Sequence, residues 1–357
     1  MNQRPEFQFE NVPSGSKGVY KLSLPAPEPL GDLVAQTWLS SCGLQPEESI
    51  ASALSAHWQD GALSTPVLVV RGKGSGKTLV ATAGVHGDEY EGMEAIFRIF
   101  NALDPQSVSG TFVAVPVVTL PAFWLGVRSN PIDQKNMARV FPGSNNGTLS
   151  ERIAATLLHR VLRHASLYVD LHSSGRNYHM LTLCGYSTIG SQAGIARSAA
   201  LEFGAPIVWA HDTVSPGRTL SATLELGIPS LYTEAYGGGE VRPEDVDCYT
   251  QGIANLLKFL DIATLDEARL PSDYRPRILG GSGNVDLGIK NSRGGLFFPK
   301  ATIGSTVRAG EVLGIVYSLE GNVEEQITAP QDAVLVMIRA TNRIYAGELI
   351  AALASEN

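Results

Sequence analysis

The sequence of 357 residues predicts an α/β fold: a three-layer α/β/α domain with a mixed sheet, followed by a small all-β unit. In the first part, short β-branched apolar runs alternate with segments of helical spacing, the pattern of a sheet covered by helices on both faces. In the second part, beyond residue 278, short apolar runs are separated by Gly and Pro, which is typical of a small barrel or sandwich.

The elements are predicted in the following order. Residues 1–60 form an N-terminal extension packed on the following domain, with a helical segment around 46–58. The runs PVLVVRG and TLVATAG predict a hairpin of buried strands joined by KGSGK. A helix at 89–103, a strand at 110–118, a helix that Ser150 opens, and the strands LYVDLHS and SLYTEA complete an α/β domain over 61–264. Residues 265–277 are predicted to be a linker, and 278–357 the C-terminal β unit.

Composition excludes several classes of function. The net charge of -8 argues against a protein that binds nucleic acid through phosphates, because such binding needs a surplus of Lys and Arg. No apolar run approaches the roughly 18 residues of a membrane span, and the polar N-terminus lacks a signal peptide's apolar core. Cys42, Cys184 and Cys248 form no CxxC pair. We therefore expect a cytoplasmic protein with reduced thiols and a small-molecule substrate.

Two strand ends carry residues suited to a metal. In GVHGDEYEG, His86 and Glu89 follow a strand directly, at the edge of the sheet where α/β proteins place their sites. In YVDLHSSG, His172 stands at the end of another strand, and Asp170 precedes it by two residues on the same face. A catalytic zinc takes three protein ligands and keeps one open position. We therefore predict one Zn²⁺ per chain, held by His86, Glu89 and His172, with Asp170 orienting a histidine.

These segments resemble those of a known family. GVHGDEYEG, DLHSSG, TEAYGGG and RSNPIDQKNMARVFPG are similar to motifs of the zinc carboxypeptidase (M14) clan, and within it of the succinylglutamate desuccinylase and aspartoacylase group of N-acyl amino acid deacylases. The resemblance covers about residues 15 to 350. It implies a zinc carboxypeptidase-like domain.

The resemblance also implies catalytic roles. Glu234 matches the general base that takes a proton from a zinc-bound water and returns it to the leaving nitrogen, chemistry that a carboxylate beside such a water can perform. Glu225 is the local competitor, but it lies in the helical run SATLELG and is interpreted as a solvated helix residue. Arg128 matches the arginine that polarises the scissile carbonyl, and Arg139 the one that grips a substrate carboxylate.

One position departs from the family pattern. The family motif ends in Asn-Arg, whereas Ala138 precedes Arg139 in this chain. Asn136 and Arg218 are the candidates for a compensating contact with substrate. The departure leaves open whether the substrate presents a free carboxylate at that point, or an amide, a diamine or a different acid.

Two further segments resemble sites of other kinds. GKGSGKT is similar to a phosphate-binding loop, but it joins two strands instead of opening a helix, so we interpret it as a turn. The C-terminal unit resembles a biotinyl/lipoyl domain, yet the matching stretch ATNRIYAG contains no lysine for a cofactor. A cap over the active-site mouth, or a support for oligomerisation, is the remaining interpretation.

The resulting hypothesis is zinc-dependent hydrolysis of the amide bond of a small N-acyl amino acid or N-acyl diamino acid. A metallocarboxypeptidase acting on peptide C-termini is the alternative enzyme, and a non-catalytic binding protein is the alternative from another class. Relatives implied by the resemblance are dimers or tetramers, so we also expect a homo-oligomer.

Overall fold

The computed structural model describes residues 4–25, 58–59 and 62–356. The predicted helical segment around 46–58 falls almost entirely outside them. Helices in the described residues are α1 Glu91–Ala102, α2 Leu120–Leu125, α3 Leu149–Arg160, α4 Ala193–Phe203, α5 Thr219–Glu225 and α6 Pro243–Phe259. Strands are β1 Ser16–Pro25, β2 Trp58–Gln59, β3 Ala62–Arg71, β4 Thr78–Ala83, β5 Thr111–Val115, β6 Leu167–Leu171, β7 Tyr178–Met180, β8 Leu183–Ser187, β9 Ile207–His211, β10 Ser230–Glu234, β11 Arg277–Gly280, β12 Ile289–Lys290, β13 Gly295–Pro299, β14 Thr306–Val307, β15 Val312–Tyr317, β16 Val323–Thr328, β17 Ala333–Arg339, β18 Arg343–Ile344 and β19 Leu349–Glu356.

A large mixed sheet organises the molecule. Its strand order is β1-β3-β5-β4-β6-β10-β8-β9-β11-β19-β17-β14, with β2, β7 and β12 pairing at β3, β17 and β19. At its centre β4, β6 and β10 run parallel, and the pairs Ala83↔Leu171 and Thr233↔Leu171 lie in register near their carboxyl ends. Side chains that follow these three strands therefore meet at one edge of the sheet.

Helices cover both faces of this sheet. Leu171 and Asp170 are neighbours on β6, so their side chains point to opposite faces. On one face α1 packs so closely that a Cβ on Gly92 would lie 2.5 Å from Leu171 Cβ. On the other face α5 brings Thr219 to Asp170, with 2.8 Å between Thr219 Oγ1 and Asp170 Oδ2. This is the three-layer arrangement that the sequence predicts.

Two local predictions are wrong. The strands β3 and β4 do not form a hairpin, because β5 lies between them, antiparallel to β3 and parallel to β4. The local turn signal is real, since 72–77 joins the two strands directly, but the long-range partner takes the pairing position. The N-cap of α3 is Thr148 rather than Ser150, and Thr148 and Glu151 form a capping box.

The C-terminal strands contribute to two sheets. A separate antiparallel sheet has the order β16-β15-β13-β18, and it encloses a second apolar core around Phe297, Leu313 and Ile344. The strands β17 and β19 instead extend the large sheet, through the pairing of β11 with β19. The predicted β unit is thus joined to the α/β domain by continuous strand pairing, and its likeness to a biotinyl/lipoyl barrel stays a prediction.

Within the described ranges, no helix has both the length and the apolar character that crossing a bilayer requires.

Candidate active site

The turn after β4 brings His86 and Glu89 together. His86 Nδ1 lies 2.7 Å from Glu89 Oε1, and both side chains are buried. The turn packs directly against α2, since a Cβ on Gly87 would lie 2.0 Å from the carbonyl carbon of Ala122. Only glycine fits there, so the close backbone approach fixes the direction in which the His and Glu project.

His172 meets the same carboxylate from the end of β6. Its Nδ1 lies 3.0 Å from Glu89 Oε2, and the Ser173 amide donates to that oxygen at 3.2 Å. On the other side of the ring, His172 Nε2 is 3.1 Å from Asp170 Oδ2. The carboxylate of Asp170 also accepts hydrogen bonds from Thr82 and Thr219, at 2.7 and 2.8 Å. Asp170 therefore lies where the sequence predicted a residue that orients a histidine.

His86 is anchored in a similar way. Its Nε2 lies 2.9 Å from Asn136 Oδ1, and the same oxygen accepts a hydrogen bond from the Ala138 amide at 2.9 Å. An amide oxygen only accepts, so Nε2 of His86 carries a proton when it makes this hydrogen bond. The sequence predicted Asn136 as a residue that contacts substrate. The structure places its Oδ1 against Nε2 of His86, and its contact with substrate stays a prediction.

The donor set of the three residues fits a divalent cation. Ligand atoms of His86, Glu89 and His172 all lie within 4.8 Å of one another. Both histidines direct Nε2 to an oxygen acceptor and Nδ1 to the Glu89 carboxylate. A nitrogen lone pair facing a carboxylate oxygen is unfavourable, so each Nδ1 needs either a proton or a shared metal cation between it and Glu89. Two imidazoles and one carboxylate are the ligand types of catalytic zinc.

Without a bound metal, the pKa values of the three residues in this cluster shift in different directions. Burial lowers the pKa of His86, and the nearby Arg128 lowers it further. Burial also opposes protonation of His172, but Asp170 and Glu89 outweigh it and hold the pKa of His172 well above its usual value. Interactions with His86 and His172 in turn hold the pKa of Glu89 well below its usual range, against the effect of burial. The cluster therefore retains a negatively charged carboxylate at its centre.

Glu234 lies at the carboxyl end of β10, beside the candidate metal-binding cluster. It lines one cavity together with His86, His172 and Arg128. Burial raises the pKa of Glu234 to about 7, and the charge of Glu89 adds to this effect, while His172 and Arg128 oppose it. A carboxyl group with a pKa near neutrality can both accept and return a proton.

Arg128 contacts the candidate metal-binding cluster and also lines the cavity. Its Nη1 donates to Glu89 Oε1 at 2.9 Å, and its side chain is partly exposed at the cavity wall. Its position therefore allows the guanidinium to face both Glu89 and a molecule in the cavity. Glu225, the competing glutamate, is exposed at the end of α5.

Comparison with known proteins agrees with this arrangement. Residues 75–260 match the model of the succinylglutamate desuccinylase/aspartoacylase catalytic domain. The chain belongs to this family. The matched region includes the metal cluster, Arg128 and Glu234, whereas the strands from β11 onward lie beyond it.

Similar proteins cover most of the chain. The N-alpha-acetyl-L-2,4-diaminobutyric acid deacetylase of Halomonas elongata is 29% identical over 299 residues, which are 82% of this chain and 86% of the relative. A family crystal structure from Rhodobacter sphaeroides has a TM-score of 0.75 at 29% identity, covering 83% of this chain and 90% of that one. The product-bound ectoine utilization protein EutE (DoeB) from Ruegeria pomeroyi has a TM-score of 0.80 at 24% identity, covering 97% and 98%, and shows the shared fold.

The remaining two predicted residues of this family member converge on an acid that the sequence did not indicate. Arg139 and Arg218 both line the cavity, and both donate to Asp286. Asp286 lies in the short 3-10 helix Val285–Leu287, after β11. Nothing in its local sequence, GNVDLG, marks it as a site residue, because only the fold brings this turn to the arginines.

Tyr249 of α6 is the other residue that the sequence reading missed. Its hydroxyl donates to the backbone carbonyl of His172 at 2.6 Å, from a fully buried position. This hydrogen bond supports the end of β6, where His172 lies.

Proposed function

We propose that this protein is a zinc-dependent deacylase that hydrolyses the amide bond of a small N-acyl amino acid, in particular an N-acyl diamino acid. The observation that carries the proposal is the buried cluster of His86, Glu89 and His172 beside Glu234 in one cavity. The choice of a diamino acid is supported by the relative named a deacetylase of N-acetyl-diaminobutyric acid, which is 29% identical.

The residues of the chain divide the reaction among them. His86, Glu89 and His172 would hold the zinc ion, which when bound polarises the substrate carbonyl and lowers the pKa of water. Glu234 takes a proton from the attacking water and delivers it to the leaving nitrogen, for which a raised pKa is suited. Arg128 faces the same cavity and stabilises the negative charge that develops on the carbonyl oxygen.

Substitution of Glu234 tests the proposal. We expect Glu234→Gln to retain one zinc per chain but to lose about 10² to 10⁴ in kcat on N-acetyl-2,4-diaminobutyrate, because a positioned proton-transfer group typically contributes that much. The zinc content is measured by elemental mass spectrometry, and the activity is measured as the rate of acetate release. Glu225→Gln is the matched control, since it changes an exposed glutamate of the neighbouring helix, and we expect it to be fully active.

Two results would reject the proposal. One is purified wild-type protein that contains no zinc and whose deacylase activity survives chelation. The other is a faster reaction on dipeptides than on N-acetyl amino acids, which would favour the carboxypeptidase alternative.

A further inference from the structure

Asp286 binds two arginines of the cavity wall at once. Arg139 donates to it through Nε and Nη2, each at 2.8 Å, and Arg218 donates through Nη2 at 3.2 Å. The arginines belong to the α/β domain, whereas Asp286 comes from the segment after β11, beyond the region that the family model matches. A residue of the C-terminal segment thus fixes two side chains of the catalytic domain.

Asn284 adds a second anchor in the same turn. Its Oδ1 accepts a hydrogen bond from Arg218 Nη2 at 2.7 Å and another from the Asp286 amide at 3.2 Å. The oxygen that caps the 3-10 helix therefore also holds Arg218. The position of the Asp286 carboxylate and that of the Arg218 guanidinium are coupled through one side chain.

The charges of this group do not cancel. Arg139 and Arg218 carry two positive charges and share one carboxylate, so one positive charge is left over beside the cavity. The two cations lie close together, because both donate to Asp286 Oδ2, and burial together with repulsion from Arg139 lowers the pKa of Arg218. A surplus cation in a partly buried site attracts an anionic group of a ligand.

The geometry also assigns the free donors. Asp286 occupies the Nε/Nη2 edge of Arg139, and Arg139 Nη1 donates to the Ala138 carbonyl at 3.1 Å. The contacts of Arg218 with Asp286 and Asn284 both use Nη2, which leaves its Nε and Nη1 to other partners. Of the five N–H donors of each guanidinium, the described contacts use three on Arg139 and two on Arg218, so Arg218 has more donors to offer a ligand in the cavity that it shares with His86 and Glu234.

We propose that Asp286 is a positioning residue that orders Arg139 and Arg218 into one receptor for the substrate carboxylate, with Arg218 as the arginine that receives it. This inference rests on the proposed deacylase function for the identity of the substrate. It assigns to Arg218 the contact that the family's missing asparagine, replaced by Ala138, no longer provides. Asp286 itself does not contact the substrate.

Substitution of Asp286 separates binding from chemistry. In Asp286→Asn the size is kept but the charge that holds the two cations together is lost. We expect KM for N-acetyl-2,4-diaminobutyrate to rise about tenfold with kcat within about twofold, since losing an interaction made equally in ground and transition states changes KM alone. KM for the corresponding α-carboxamide should not change, and Asp286→Glu should restore part of the affinity.

Glu356→Gln provides a matched control. The pair Arg277–Glu356 has the same 2.8 Å distance as Arg139–Asp286, and its side-chain exposures of 28% and 54% match the 26% and 51% of the site pair. We expect this variant to have wild-type KM and kcat. A rise in KM in Glu356→Gln equal to that in Asp286→Asn would overturn the proposal, because any surface ion pair would then have the same effect.

Other outcomes also contradict the inference. A lower KM in Asp286→Asn would mean that the acid competes with the substrate carboxylate, and an equal rise for the acid and the carboxamide would mean that it does not serve the carboxylate. If the wild-type protein shows no turnover, the proposed function fails, and the crystal structure of the zinc-loaded Asp286→Asn protein tests the inference alone. We expect the two guanidinium groups to separate in it, and unchanged positions would refute the role of Asp286.

Discussion

Replacement of Asp170 by Asn is expected to weaken zinc binding although no ligand is changed. Asp170 is 0% exposed, and its carboxylate accepts hydrogen bonds from His172 Nε2, Thr82 and Thr219. By holding a proton on Nε2, it keeps His172 Nδ1 free for the metal. Asparagine has the same size but offers one acceptor oxygen and one donor nitrogen, so one of the carboxylate's two positions must change from acceptor to donor.

The size of the loss in zinc affinity depends on which carboxylate oxygen of Asp170 is replaced by the amide nitrogen. Oδ2 of Asp170 receives two donors, His172 and Thr219, whereas Oδ1 receives Thr82, whose hydroxyl also contacts the Tyr168 hydroxyl. The amide oxygen should therefore take the Oδ2 position, which leaves its nitrogen to face a hydroxyl that can rotate. His172 then keeps its proton position and loses only the charge of its partner. Such outer partners contribute 10- to 100-fold in metal affinity, so we expect about tenfold, or about 1.4 kcal/mol.

Competition with a chromogenic zinc chelator at neutral pH measures this change in zinc affinity. Thr82→Val is the control, because it removes a hydrogen bond to Asp170 without touching His172, and we expect its zinc affinity to stay within about threefold of wild type. Circular dichroism verifies that each variant is folded. A folded Asp170→Asn protein that binds zinc as tightly as the wild type would refute this account of His172.

Two further predictions concern the base and the turn that carries Asp286. A carboxyl group acts as a base only when it is ionised, and the pKa of Glu234 is raised to about 7 without metal, so kcat/KM should fall as the pH is lowered. A bound cation lowers this pKa from about 7, and we expect the midpoint of the fall to stay above the usual 4.5 of glutamate. A midpoint at or below 4.5 in a pH–rate profile would contradict the assignment of Glu234 as the base. In Gly283→Ala, a Cβ at φ +61° would lie 2.0 Å from His211 Cε1, so we expect the free energy of unfolding, measured by thermal denaturation, to fall by about 1 to 3 kcal/mol and KM to rise. Gly310→Ala is the control: its φ is +83° but no atom lies within 4 Å of the new Cβ, so it should lose only the smaller strain energy and keep its KM. Equal effects in the two variants would contradict this expectation.

The sequence predicted the centre of the fold and the metal cluster because both depend on local pattern. Buried parallel strands read as continuous apolar runs, and residues that follow such strands share one edge of the sheet. His86, Glu89 and His172 each stand in that position, so their convergence could be inferred without knowing the order of the strands. The predicted homo-oligomer and the cytoplasmic location stay predictions.

Only the tertiary structure decided three features of the molecule. They are the pairing of β3 and β4 with β5, the contact of Asn136 with His86, and the ion pairs of Arg139 and Arg218 with Asp286. Each joins segments far apart in the chain, and a turn signal or a residue type does not state which distant partner will occupy the space beside it. The amino-acid sequence by itself determined which side chains could hold a metal, because that depends on residue chemistry and on strand ends. The packing of the C-terminal segment against the α/β domain determined how the two arginines of the cavity wall are held, because ion pairs form wherever folding brings opposite charges within reach.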